Sequence, residues 1–143
     1  MQRVVEALEY VLDEKETLLK ESKVQLERLG REKVGLDFKL GMTQVAYGIT
    51  NGMVNSFLIG GKSETDPVVM MQRASRKELF DEIGLIVDAQ KAIVKVIAEV
   101  GELVCDLEID VDEIRAFVRA HKADEGKVEA RKGVNFGMVV VMP

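Results

Sequence analysis

The chain has 143 residues, 47% of them hydrophobic and 31% charged, with a formal net charge of −5. That balance permits a packed core and argues against global disorder, and the negative total argues against a general nucleic-acid binder held by phosphate neutralisation. Aromatics make up 5%, Trp is absent, and a single Cys and a single His exclude an intrachain disulfide and the usual zinc ligand sets.

The first element is the clearest. With Val5 at a heptad a position, Val5, Leu8, Leu12, Leu19, Leu26, Leu29, Leu36 and Leu40 fall on the three–four spacing of one helix face, and Lys15, Ser22 and Lys33 take the remaining seam positions. The other faces are densely charged with mixed sign, while Val4, Val11 and Leu18 widen the apolar stripe. The spacing predicts a helix over about residues 2–33 that pairs with a second helix or a second subunit.

Residues 34–61 change character. No charge occurs between Lys39 and Lys62, and glycines fall at 35, 41, 48, 52, 60 and 61. Val34, Leu36, Phe38, Leu40 and Met42 alternate with the period of a strand, and Asn51-Gly52 is a hairpin signal. A helix over about 43–59 competes with that reading and is preferred to it. It places Met42, Val45, Ile49, Met53 and Phe57 on one face and lines up Gly48, Gly52, Ser56 and Gly60 at four-residue spacing, a flat surface for close helix contact. Thr43, Gln44, Thr50, Asn51, Asn55 and Ser56 make the segment too polar for a lipid-facing span.

Asp66-Pro67 has the form of a helix start, Asp as N-cap and Pro at the first helical position. The helix that follows is expected over 67–104, with Leu79, Ile83, Ile86, Ile93, Ile97, Val100 and Val104 as its seam and Gln90 as a polar interruption. The acidic run Asp106–Glu113 is expected to break it, with Asp110 capping a short helix over 111–122. Over 128–142, Val134, Phe136, Met138, Val140 and Met142 alternate and predict a strand that could be lent to a neighbouring subunit.

Few residues carry chemistry. The acidic run fails the calcium-loop pattern, since Val111 stands where glycine is required. Gly60-Gly61-Lys62-Ser63 ends like a phosphate-binding loop, but position 56 is Ser where that motif needs Gly. Cys105 has no cationic neighbour in sequence and reads as a buried structural thiol. His121, next to Lys122, reads as a helix C-terminal cap. No nucleophile–base arrangement is visible, and no metal or cofactor is implied.

The sequence therefore predicts one mainly α domain over 1–143, a helical hairpin or coiled-coil-like assembly with a minor C-terminal β element. The alternative is an α+β fold with a small sheet from 34–59 and 128–142. The expected function is a non-enzymatic homo-oligomeric assembly or structural protein, a subunit or adaptor of a larger particle such as a virus or phage component. Its interface residues would be Val5, Leu8, Leu12, Leu19, Leu26, Leu29, Gly48, Gly52, Leu79, Ile83, Ile86, Ile93, Ile97 and Val140. Two alternatives are a small ligand-binding or regulatory oligomer, with a site near Gly48, Asn51, Gly52 and Asn55, and a ring-forming nucleic-acid packaging adaptor. With no signal peptide visible, since Glu6, Glu9, Asp13 and Glu14 interrupt the first apolar residues, the expected location is cytoplasmic, or the virion for a viral protein. Ile93→Asp is expected to disrupt folding or assembly and His121→Ala to be nearly silent, as checked by circular dichroism and sedimentation of the two variants.

Overall fold

The computed structural model describes the backbone of residues 2–141 and the side chains of residues 2–122. It contains two helices, α1 (Gln2–Ile59) and α2 (Pro67–Val141), and no strand among the described residues. The packing divides into two compact units. One combines α1 up to Val24 with α2 from Val100 onward, and the other spans Gln25–Glu99.

In the first unit, Val5 on α1 and Val104, Leu107, Val111 and Val118 on α2 are buried, with Leu8, Leu12, Leu19 and Ile114 half-buried. The α2 positions follow steps of three and four, so one continuous stripe meets the heptad seam of α1. Ion pairs flank that seam: Lys23 Nζ to Glu108 Oε1 at 3.1 Å, Lys15 Nζ to Asp110 Oδ2 at 2.7 Å, Arg115 Nη2 to Glu16 Oε1 at 2.9 Å, and Lys122 with Glu9. Numbers rise on α1 as they fall on α2, so the two segments run antiparallel. Each pair is partly exposed and contributes at most about 1 kcal/mol. Their main effect is on orientation and register.

In the second unit, Leu29, Val54, Val69 and Ile86 are buried, and Leu26, Leu36, Leu40, Leu79, Ile83, Ile93 and Ile97 are half-buried. Thr43 is also buried, and its hydroxyl donates to the Lys39 carbonyl at 2.8 Å, one turn back in the same helix. Gln90 Nε2 donates to Asp37 Oδ1 at 2.7 Å, Arg76 Nη1 donates to Asn51 Oδ1 at 2.9 Å, and the Tyr47 and Phe80 rings lie 6.2 Å apart. These pairings again run antiparallel.

The turn joining the helices follows the chemistry of its residues. The Lys62 amide donates to the Phe57 carbonyl at 2.9 Å and the Gly61 amide to the Leu58 carbonyl at 3.2 Å, with Gly61 at φ +92°. This is a Schellman cap, in which glycine occupies the left-handed position that other residues adopt only at a cost. Asp66 Oδ1 then accepts from the Val68 amide at 2.9 Å, and Pro67 opens α2, as the sequence predicts.

Four expectations are corrected. The first helix does not end near residue 33 but continues to Ile59: the helix expected over 43–59 is present as part of it, no strand or hairpin forms over 34–59, and the α+β alternative falls. Val34, Leu36, Phe38, Leu40 and Met42 alternate because they lie on opposite sides of a helix: Leu36 and Leu40 are half-buried, whereas Val34, Phe38 and Met42 are exposed. The acidic run does not break α2, because Val104, Leu107, Val111 and Val118 hold it in register while Glu108 and Asp110 reach lysines on α1. The 111–122 segment is therefore part of α2. Finally, α2 continues through Val141, where alternation predicts a strand over 128–142. That run also carries Val134, Met138 and Val141 at helical spacing. Its side chains, Val140 included, lie outside the described residues.

Replacing Gly61 by Ala places a Cβ at positive φ and is expected to lower stability by about 1 kcal/mol. Gly84, inside α2 with open space where a Cβ would stand, is the opposite case: Gly84→Ala is expected to raise stability by up to about 1 kcal/mol. Urea melts at one fixed protein concentration check both signs.

Candidate interaction surface

Most of the predicted interface residues lie inside the helix pairs of the two units. Val5 and Leu29 are buried and Leu8, Leu12, Leu19 and Leu26 half-buried on α1, as are Ile86 (buried) and Leu79, Ile83, Ile93 and Ile97 (half-buried) on α2. Gly48 and Gly52 are placed differently. Both are exposed, and nothing lies within 4 Å of the position where a Cβ would stand.

Beside those glycines runs a row of exposed apolar side chains on α1. Val34 is 67% exposed, Phe38 71%, Met42 59%, Val45 62%, Ile49 61% and Met53 39%. The steps are four, four, three, four and four, which keep all six on one face. Each buried or half-buried neighbour on the α2 side stands two residues away, as Leu36 does from Phe38, Thr43 from Val45, Tyr47 from Ile49 and Val54 from Gly52. Two residues turn a helix by about 200°. Residues 34–53 are thus apolar on two opposed faces, one against α2 and one open. The sequence carried the signal for this row as two fragments, the 34–42 alternation and the Met42–Met53 face.

Other candidates are more ordinary. Glu32 lies 3.9 Å from Arg28, Asp37 3.1 Å from Lys33 and Glu64 3.4 Å from Arg73, so each of these three cations has an acid beside it. Asn51 Oδ1 accepts from Arg76 Nη1 on α2 at 2.9 Å, while Gly48, Gly52 and Asn55 are exposed. The surface depressions are open grooves, one lined by Lys33, Asp37, Val87, Gln90, Lys91 and Val94 and another by Val4, Leu8, Glu113, Ile114 and Phe117. Among the described residues no group of three or more His, Cys, Asp or Glu side chains is placed to hold a metal ion. No helix among them is long and apolar enough to cross a membrane.

Two single-residue expectations change. Cys105 is exposed, not buried, because α2 continues past Val104 and one residue of rotation carries the thiol off the seam. His121 lies within α2 and not at a helix end. Its Nδ1 is 2.9 Å from the Phe117 carbonyl and its ring stacks on Phe117 at 3.8 Å between centroids.

Comparison with protein-family models, with curated protein sequences and with solved structures finds no match for this chain.

The thiol of Cys105 is expected to react stoichiometrically with a maleimide in the folded chain, and Cys105→Ser to change stability by less than about 0.5 kcal/mol. Mass spectrometry after labelling and a urea melt check the two outcomes.

Proposed function

We propose that the chain is a non-enzymatic assembly protein, a homo-oligomeric subunit or adaptor of a larger particle such as a virus or phage component. The observation that carries this reading is the open apolar face of residues 34–53. Six large apolar side chains in a row, five of them more than half exposed, form a contiguous patch of the kind that marks an interaction site. A helix that is apolar on opposed faces is stable in water when both are covered, and α2 covers one.

The remaining chemistry agrees with an interface protein. Several charges form pairs between or along the helices, and two polar side chains of the uncharged segment are used locally, Thr43 on its own helix and Asn51 on Arg76.

Sedimentation velocity at micromolar concentration is expected to give a mass that is a multiple of the chain mass. A stable monomer would overturn the reading.

A further inference from the structure

We propose that the Val34–Met53 face of α1 is a two-fold interface between two copies of this chain, their α1 helices packed antiparallel about an axis between residues 43 and 44. The proposal rests on the assembly reading above and adds to it the surface, the orientation and the identity of the occupant.

Spacing is the first reason. The steps four, four, three, four, four read the same in both directions, and an isologous contact demands that property: if one residue meets another, the second must meet the first. Reversing one helix over its copy sets Val34 against Met53, Phe38 against Ile49 and Met42 against Val45, apolar on apolar at every position.

Charge gives the orientation. Continued towards the N-terminus, the row reaches Arg31 and Glu27; continued towards the C-terminus it reaches Ser56 and Gly60, all of them exposed. A parallel two-fold pairing would set Arg31 against Arg31 and Glu27 against Glu27, which is repulsive. The antiparallel pairing sets Arg31 against Ser56 and Glu27 against Gly60, with exposed Lys62 close to that glutamate. The absence of charge between Lys39 and Lys62 is then what allows one copy's charged turns to lie over the other's uncharged ones.

Area is adequate. At these exposures each of the six side chains presents on the order of 100 Å², so two copies would remove roughly 1,200 Å² from water, at the lower limit of stable specific interfaces. Gly48 and Gly52, open beside the row, allow the helices to approach closely and add backbone area.

The test uses the full chain with Cys105→Ser, so that introduced cysteines are unique. Phe38→Cys and Ile49→Cys chains are mixed in equal amounts, allowed to exchange and oxidised. The 38–49 disulfide is expected as the main product, with little cross-linking of either variant alone. In parallel, Val45→Asp/Ile49→Asp is expected to at least halve the native mass while circular dichroism shows unchanged helicity, since both positions are exposed in the single chain. Should that variant lose helicity, the disulfide pattern decides. Wild-type protein that is monomeric overturns the assembly reading and this interface with it. A monomer that pellets with phosphatidylcholine vesicles assigns the face to lipid and also overturns the interface. Wild-type protein that assembles, but cross-links 38 to 38 or keeps its mass with both aspartates, overturns this interface and leaves the assembly reading standing.

Discussion

A helix packed against a single antiparallel partner buries one stripe of its circumference and leaves the opposite side to water. Most of α1 conforms, with leucines on one side and mixed charges elsewhere. Residues 34–53 do not, because their apolar residues come in two sets turned about half a revolution apart. The set containing Leu36, Leu40, Thr43, Tyr47 and Val54 is engaged with α2; the set from Val34 to Met53 is open. One partner helix has one surface to offer, so the second set has no place within the chain's own helix pair.

Within each unit the seam supplies the cohesion and the charges supply the direction. Among the described residues the largest fully buried side chains are valines, Val54, Val69 and Val111, small enough to let helix axes come close and stiff at χ1, so that little rotamer freedom is lost on packing. The ion pairs flanking the first unit's seam are individually weak. Acting together, they penalise a slip of one heptad, which would move Lys15 and Lys23 away from Asp110 and Glu108. Hydrophobic burial is tolerant of register, and charge pairing is less so.

Much of this was legible in the sequence, for identifiable reasons. The Val5–Leu29 heptads, the Asp66-Pro67 start and the Ile83–Ile97 seam are local signals that tertiary structure did not override. The segment after residue 33 was harder, because an alternating apolar pattern is produced both by a strand and by a helix apolar on two faces. What separates them is the four-residue recurrence inside each alternating set, Val34–Phe38–Met42 and Leu36–Leu40. The run Asp106–Glu113 was read by its charge density, yet Leu107 and Val111 lie inside it at seam spacing and decide the outcome. The lack of a cationic neighbour says nothing about which face Cys105 occupies, and the continuing helix turns it outward. Which apolar face would remain open could not be read from periodicity alone, since both sets on α1 have helical spacing and the choice depends on where α2 docks.

The glycines of α1 also bear on the order of events during synthesis. The chain emerges N-terminus first, and at roughly 5–20 residues per second the 75 residues of α2 follow over about 4–15 s. During that interval a preformed helix over 34–53 would show both apolar faces to water or to other nascent chains. Gly35, Gly41, Gly48 and Gly52 oppose this: at about 1 kcal/mol each relative to alanine, they keep the isolated segment from holding a helix. The row from Val34 to Met53 is then expected to form as α2 docks and fixes the backbone. Under the proposed interface, folding of the single chain therefore precedes association, and the apolar row is presented once both helices have been made.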